Sequence, residues 1–349
     1  MKNKIIIFTT ILSTIGPAIL ATTHLSIYIT LPSFLLALII SYLTYLLVNY
    51  KGDYTGLYGY SKDFHPLVGY IFLISWLVSY YLYTIYTAIY IPYYLLNLDG
   101  NIATMLSIII ETVIVISLLT NFYYIFPIII FSQLFFILPF NIKLQSGNLV
   151  NIHSLFYNIL SSSLILVCIT LSTFFKFEKE YSKYVLYSAI IGGILLIYGS
   201  FFILSKFSIY GEAIGNFGLI MVEFLAIKDL FKGLNKEKII KYLALLSIPI
   251  VAIGNINYNI FYNSLIAPSV TLLYLSLFLG FLSIFRYFKS YKIWILNIIA
   301  LSLFIFGLYN AIISSRGHLF YESISALILS ILIGSIVYVK KYNIIKNTY

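Results

Sequence analysis

Long apolar runs, separated by short polar breaks, follow one another along the whole chain. A helix that crosses a bilayer needs about 20 mostly apolar residues, and the pattern predicts twelve such helices. The predicted spans are 5–29, 32–48, 66–96, 102–119, 122–140, 154–175, 184–205, 211–228, 239–256, 265–287, 293–314 and 319–338. We expect one transmembrane domain over residues 1–339, with helices 1–5 at 5–140, helices 6–10 at 154–287 and helices 11 and 12 at 293–338, and then a short cytoplasmic tail at 340–349.

The division between the fourth and fifth predicted spans depends on two polar residues, Thr120 and Asn121. Cytoplasmic turns of membrane proteins carry an excess of Lys and Arg. With both termini in the cytoplasm, 18 of the 21 basic residues lie inside, and only Lys143, Lys206 and Arg316 lie outside. Merging the two spans would reverse every later turn and leave 7 inside and 14 outside. The charge distribution therefore favours twelve spans.

The composition indicates the same class of protein. Of the 349 residues, 61% are hydrophobic and only 9% are charged, whereas a soluble chain carries about 25% charged residues. The net charge of +10 does not indicate nucleic-acid binding, because the basic residues lie singly or in small groups between apolar runs. We expect an all-α, multi-pass protein of the plasma membrane, surrounded by lipid and without a nucleic-acid partner. Its oligomeric state is left open.

The sequence contains little that would support catalysis. Cys168 is the one cysteine, so no disulfide can form within the chain, and no Cys/His spacing typical of a metal site is present. No nucleophile motif, phosphate-binding loop or acid pair for a metal-bound diphosphate is visible. We therefore predict a protein that is not an enzyme and needs neither a cofactor nor a bound metal.

Three stretches in the first hundred residues resemble the amino acid/polyamine/organocation (APC) permease superfamily. They are STIGPAIL at 13–20, KGDYTGLYGY at 51–60, and FHPLVGY at 64–70 followed by Trp76. They resemble, in that order, the superfamily's glycine-rich break in helix 1, its loop after helix 2 and its entry to helix 3. FEKE at 177–180 resembles the loop after helix 6. The resemblance implies a leucine-transporter-like fold, with inverted repeats of helices 1–5 and 6–10 followed by two extra helices.

In transporters of this kind the substrate binds near the middle of the membrane, between broken helices. Gly16-Pro17 is a credible break in helix 1, because proline lacks the amide hydrogen and glycine permits unusual backbone angles. Helix 6 lacks the expected glycine. The serines at 161–163 could loosen it, or could simply allow close helix packing. The predicted substrate-binding residues are Ser13, Thr14, Ile15, Gly16, Pro17, Ala18, Tyr83, Ser163, Cys168 and Thr170.

Two acidic residues lie at least five residues from either end of a predicted span, Glu111 in helix 4 and Glu223 in helix 8. A charge in the membrane is costly and marks a functional site by default. Gln133 is the only large polar side chain of helix 5. These three residues are the candidates for ion coupling, with either protons or sodium as the coupling ion.

The sequence favours a secondary active transporter that moves amino acids or related small organic solutes by alternating access. Two alternatives remain. One is a partner subunit that has the permease fold but does not transport, as the missing glycine in helix 6 and the short chain would suggest. The other is a lipid-linked glycan flippase, which would need several cationic residues in a central cavity, and none lies at the centre of a span.

Overall fold

The computed structural model describes residues 3–16, 22, 25–137, 143–144, 152–176, 178–203 and 207–347, and these are almost entirely helical. The α-helices are α1 (Lys4–Leu12), α2 (Ile27–Tyr50), α3 (Gly56–Phe64), α4 (Pro66–Tyr90), α5 (Gly100–Thr120), α6 (Ile125–Ile137), α7 (Ile152–Ser163), α8 (Lys183–Phe201), α9 (Ser208–Gly233), α10 (Glu237–Gly254), α11 (Tyr258–Leu282), α12 (Ile284–Tyr287), α13 (Tyr291–Ser314) and α14 (His318–Asn347). Residues Ser13–Ile15, Val167–Phe174, Lys179–Tyr181 and Asn255–Asn257 form 3₁₀ turns, and Ile91–Leu95 form a π-helix. A two-residue ladder pairs β1 (Lys143–Leu144) with β2 (Phe202–Ile203).

Many large apolar side chains point outward from the bundle. Ile102 and Phe131 are each 67% exposed, and Ile256 is 85% exposed. Among the described residues, eight helical segments are long and apolar enough to cross a membrane. They are Ile27–Tyr50, Pro66–Leu95, Gly100–Thr120, Ser154–Phe174, Lys179–Phe201, Glu237–Tyr287, Tyr291–Ser314 and His318–Lys341. The protein is therefore a multi-pass membrane protein whose outer surface is suited to lipid.

The segment Glu237–Tyr287 is 51 residues long. At about 1.5 Å of rise per residue, such a helix would far exceed the roughly 30 Å apolar thickness of a bilayer. It is interrupted at Asn255–Asn257, where α10 ends and α11 begins. This division agrees with the ninth and tenth predicted spans.

One end of the bundle gathers turns that carry many of the basic residues. Asn121, in the left-handed conformation at φ 57°, ends α5 before α6 begins. The Nζ atom of Lys228 donates hydrogen bonds to the Leu118 carbonyl and to Asn121 Oδ1, and Nζ of Lys232 lies 4.5 Å from the centre of the Tyr54 ring. The turns at 51–55, 121–124 and 233–236 therefore meet at this end, which we call the basic end. The predicted separation of the fourth and fifth spans is confirmed.

Helix α9 lies in the interior of the bundle. Residues 219–227 are all buried, so the helix is enclosed on every side at this level. It packs against α4, α6 and α5, while α4 packs closely against α11. A helix that is buried all round presents each of its side chains to a protein neighbour. Any polar residue in 219–227 is consequently an interior group.

The structure corrects the predicted boundary between the first two spans. Span 32–48 was expected to begin at Pro32, but α2 begins at Ile27 and contains Pro32. The Ser26 side chain accepts a hydrogen bond from the Tyr28 amide and so caps the helix. Of the predicted first span 5–29, α1 and the 3₁₀ turn after it extend to Ile15, and residues 27–29 belong to α2.

The segment 49–65, expected to be a loop, contains helix α3. The Asp53 carboxylate accepts a hydrogen bond from the Thr55 amide just before the helix. Tyr60 then donates its hydroxyl proton to the Leu47 carbonyl at 2.6 Å, which fixes α3 against the end of α2. The tertiary contact stabilises a helix of 9 residues that would be marginal alone.

The hairpin of α5 and α6 predicts a pattern of chemical labelling. The single native cysteine, Cys168, is buried, so wild-type protein should not react with a membrane-impermeant maleimide and serves as the control. We expect Phe122→Cys and Tyr291→Cys to be labelled from one side of the membrane and Asp99→Cys from the other, since these residues lie in or directly beside turns at opposite ends. Labelling of Phe122→Cys and Asp99→Cys from the same side would contradict the hairpin.

Candidate functional site

Helix 1 is broken at Gly16. The 3₁₀ turn Ser13–Ile15 follows α1, and Gly16 then adopts φ 60° and ψ −150°, a conformation that residues with a side chain rarely adopt. Ser13 and Thr14 donate their hydroxyl protons to the carbonyls of Thr9 and Ile11. The predicted break is therefore present at Gly16. The candidates Pro17 and Ala18 lie outside the described residues.

Two neighbouring helices contact this break. Nε2 of Gln133, on α6, donates a hydrogen bond to the Gly16 carbonyl at 3.2 Å. A Cβ atom on Gly16 would lie 3.1 Å from Cδ2 of Leu219 on α9. A cavity of about 20 Å³ lies beside Gly16 and Gln133, enough for about one water molecule. Gln133 therefore satisfies a carbonyl that the unwound backbone would otherwise leave unpaired.

The sixth predicted span, 154–175, is also broken, although it lacks a glycine. We keep the name helix 6 for this span, which is distinct from α6. Helix α7 ends at Ser163, residues 164–166 form a turn, and a 3₁₀ helix continues through Val167–Phe174. Hydroxyl groups support the tighter winding by donating to carbonyls three residues earlier: Ser163 to Leu160, and Thr170 to Val167. Such local bonds compete with the regular helical pattern. The question left open by the sequence is thus settled in favour of a break.

The two breaks lie side by side. A Cβ atom on Gly192 of α8 would lie 3.1 Å from both Ile15 Cγ2 and Leu166 Cδ2, one at each break. Ile15, Leu166, Ala37 and Leu196 form a small buried cluster around this point. The absence of a side chain at Gly192 lets α8 approach both unwound segments.

Next to the helix 6 break lies a group of buried polar side chains, which we call the central polar cluster: Trp76, Tyr80, Cys168, Thr170 and Glu223. Cys168 Sγ lies 3.9 Å from Glu223 Oε1, within the range of a weak hydrogen bond to sulfur. The rings of Trp76 and Tyr80 are 4.9 Å apart. All five residues are at least 92% buried.

Three polar atoms of the central polar cluster have no hydrogen-bond partner. They are Trp76 Nε1, Tyr80 Oη and Glu223 Oε2. Leaving a buried polar atom unpaired costs about 1–3 kcal/mol, and more for a charged group. The cluster thus presents two unused donors and one unused carboxylate oxygen, which suits a ligand with both an anionic and a cationic end.

Helix α9 joins this cluster to the helix 1 break. Leu219, which contacts Gly16, and Glu223, which contacts Cys168, are four residues apart. Residues at that spacing lie on one face of a helix. The structure therefore brings Ser13, Thr14, Ile15 and Gly16 close to the other candidates through a single face of α9.

Tyr83 lies beside the central polar cluster and begins a column of tyrosines. It is half-buried, and its ring centre is 5.0 Å from that of Tyr86. Tyr86 contacts Tyr262, which stacks on Tyr90. The column runs along α4 toward the π-helix Ile91–Leu95. Tyr83 thus lies where the column meets the cluster, within electrostatic range of Glu223.

Glu111 lies away from this site. It is fully buried, and neither of its carboxyl oxygens has a hydrogen-bond partner. Its neighbour is Ser247 on α10, and one turn away Ser107 and Asn255 are hydrogen-bonded to each other. Glu111 therefore belongs to the interface of α5 and α10 rather than to the broken helices.

Sequence reasoning did not select Trp76 and Tyr80 as site residues. Trp76 entered only as part of a motif, and Tyr80 was not among the predicted residues. Their importance depends on unpaired polar atoms, which only the packing of α4 against the helix 6 break produces. The spacing of four residues between them was the available signal, because it places both on one face of a helix.

The overall fold is similar to that of solved membrane transporters. A variant of a manganese transporter from Eremococcus coleocola matches with a TM-score of 0.58 at 13% identity, covering 97% of this chain and 94% of that chain. A second variant matches with a TM-score of 0.56, the same identity and the same coverage. The same transporter bound to an aromatic bis-isothiourea substituted compound gives a TM-score of 0.52 at 14% identity, with 95% of each chain covered. At such low identity the similarity shows a shared fold and nothing finer.

No protein-family model matches the chain, and no curated protein matches it either. The likeness to the APC superfamily consequently remains a resemblance of short motifs.

The contact between Gln133 and Gly16 predicts a loss of stability. Replacing Gln133 with Leu removes the donor and leaves the Gly16 carbonyl unpaired, so we expect the free energy of unfolding to fall by about 1–3 kcal/mol. Thermal unfolding of the detergent-purified protein measures this, with Ser132→Ala on the same helix as the control. Equal midpoints for Gln133→Leu and wild type would show that the bond does not stabilise the break.

Proposed function

We propose that the protein is a secondary active transporter that moves amino acids or related small organic solutes by alternating access. The observation that carries the proposal is the unpaired set Trp76 Nε1, Tyr80 Oη and Glu223 Oε2 beside the helix 6 break. A zwitterion would match this set, with its carboxylate accepting from the two donors and its ammonium group contacting Glu223. The transporter fold of the structural neighbours supports the proposal.

The two broken helices supply the remaining elements of such a site. Unwound backbone inside a membrane protein is tolerated where it lines a cavity or is buried in protein. The breaks at Gly16 and at 164–166 lie together, in contact with α8 and α9. We infer that the helix 1 candidates Ser13 to Gly16 and the helix 6 candidates Ser163, Cys168 and Thr170 form two walls of the substrate site. Tyr83 would close it.

Glu223 is the proposed coupling residue. It is fully buried, and no lysine or arginine pairs with it among the described residues. A buried carboxylate without a cation is costly, so binding of a proton or sodium ion there would stabilise the loaded transporter. Gln133 would move together with the helix 1 break, because its side chain donates a hydrogen bond to the Gly16 carbonyl. Glu111, at the α5–α10 interface, is a weaker candidate.

The architecture we propose is a leucine-transporter-like arrangement of helices 1–5 and 6–10 as inverted repeats. The proposal is supported by the positions of the two breaks, which lie in the first and the sixth predicted spans. These are the first helices of the two repeats, so they occupy equivalent positions. Helices α13 and α14 would then be the two additions.

The central polar cluster argues for transport over a partner subunit that does not transport, since a subunit without substrate has no need of unpaired polar atoms. A glycan flippase would need cationic groups in a central cavity, and no lysine or arginine lies at the centre of a predicted span.

A divalent metal ion is a second candidate substrate. Two observations favour it: the structural neighbours described above are all forms of one manganese transporter, and Cys168 and Glu223 could offer sulfur and oxygen to one ion. Against it, the described residues contain no group of three or more His, Cys, Asp and Glu side chains that could hold a metal ion. A metal would also leave the Trp76 donor unpaired.

Uptake into proteoliposomes tests transport directly. We expect wild-type protein to accumulate components of a labelled amino acid mixture under a pH or sodium gradient, while labelled Mn²⁺ is not accumulated. Saturable Mn²⁺ uptake in place of amino acid uptake would establish the second candidate. A folded protein that takes up neither substrate under any gradient would support the partner-subunit alternative.

Replacing Gly16 with Leu tests the role of helix 1. The new side chain would meet Leu219 in a backbone conformation that disfavours it, so we expect uptake to be abolished. Gly317→Leu is the matched control, because Gly317 also has φ near 60° but has open space around it. Unchanged uptake by Gly16→Leu would remove helix 1 from the site.

Replacing Glu223 with Gln tests the coupling residue. The substitution keeps the shape but removes the charge, and we expect initial uptake to fall by at least about tenfold, equivalent to 1.4 kcal/mol. Glu111→Gln, which alters another buried acid, should retain most of the activity. Equal losses in the two variants would argue that both carboxyls serve stability.

A further inference from the structure

A second pocket opens at the basic end, away from the central polar cluster. Its volume is about 370 Å³, and it lies between the end of α5, the last turns of α9 and the first turns of α10. Lys228, Lys232 and Lys241 line it, together with the apolar residues Leu119 and Ile240. The pocket therefore has both a cationic and an apolar wall.

The charges around this pocket are unequal. Glu237 is the one acid in the lining, and Asp229 lies within electrostatic range of Lys228 and Lys232. Among the described residues, no ion pair closer than 4.0 Å involves any of the three lysines. An anion entering the pocket would find cationic groups that no acid already occupies.

The three lysines are held in different ways. Lys228 donates to the Leu118 carbonyl, to Asn121 Oδ1 and to Tyr123 Oη at 3.1 Å, so all three of its protons are used. It ties α9 to the end of α5, where a cation also complements the helix dipole. Lys232 and Lys241 are exposed, and Lys232 lies over the Tyr54 ring. The two exposed lysines are the groups available to a ligand.

We propose that this pocket binds the phosphate headgroup of an anionic membrane lipid. Lys232 and Lys241 contact the phosphate, while Lys228 contributes charge from the pocket wall. Leu119 is 39% exposed at the edge of α5, and it offers the start of an acyl chain an apolar surface continuous with the lipid-facing side of the helix. Basic pockets between transmembrane helices at the cytoplasmic surface are suited to such headgroups.

A lipid in this position would bridge α5, α9 and α10. Helix α9 also carries Glu223 and the contact with Gly16, so the headgroup would be connected through one rigid element to the proposed substrate site. The binding claim itself rests only on the pocket and its lysines. It is independent of whether the protein transports amino acids.

The test measures lipid binding to the full chain by native mass spectrometry in detergent, with phosphatidylglycerol and phosphatidylcholine as probes. Wild type should retain phosphatidylglycerol in preference to phosphatidylcholine. Lys232→Gln/Lys241→Gln should weaken phosphatidylglycerol binding by about 25-fold, since each lysine near a membrane surface contributes about fivefold. Lys289→Gln/Lys292→Gln is the matched control, because it removes the same charge from exposed positions outside the pocket.

The outcomes separate the alternatives. Selective loss in the pocket variant, with the control unchanged, supports the site. Equal weakening in both double variants would show general surface attraction and overturn it. Displacement of the lipid by millimolar inorganic phosphate would identify a soluble phosphate as the ligand and also overturn it. If the double variant does not fold, Lys232→Gln and Lys241→Gln alone should each give about a fivefold loss, and no loss in either would refute the proposal.

Discussion

The bilayer requires that every backbone polar group within it find a partner inside the protein. Regular helices meet this requirement by themselves, so each departure from a helix needs a specific partner. At Gly16 the partner of the carbonyl is the side chain of Gln133. In helix 6 the hydroxyls of Ser163 and Thr170 take carbonyls that a regular helix would pair differently. The breaks are therefore supported features of the fold.

Helix α9 is the element on which these features converge. It is buried on all sides along residues 219–227, and its Leu219 and Glu223 contact the two broken helices. Its last turns carry Lys228, which fixes the end of α5 and so the hairpin with α6. A displacement of α9 would consequently change its contacts with both broken helices and with the end of α5 at the basic end. A single rigid helix of this kind can couple a binding event to a membrane-surface contact.

The residues of the site could be predicted from the sequence only in part. Gly16 was identified because glycine beside proline is a local signal with a local cause. The helix 6 break was left open because the expected signal was a glycine, whereas the chain uses hydroxyls that bond three residues back. Tyr83 was predicted as a substrate-binding residue, but the unpaired hydroxyl belongs to Tyr80. Which face of α4 meets helix 6 is a tertiary fact, and no periodicity within α4 reveals it.

Three features could be predicted from local stretches of chain: the membrane class, the division of α5 from α6 and the polar character of the first break. These follow from transfer of side chains between water and lipid, from the asymmetric distribution of lysine, and from local backbone chemistry, all of which are encoded within short stretches of chain. The surroundings of the two buried acids depend on how the helices pack. Glu111 lies at the α5–α10 interface while Glu223 lies beside Cys168, although both are single acids within apolar runs. Burial and partnership of such residues depend on contacts between segments 50 or more positions apart, which composition and spacing do not specify.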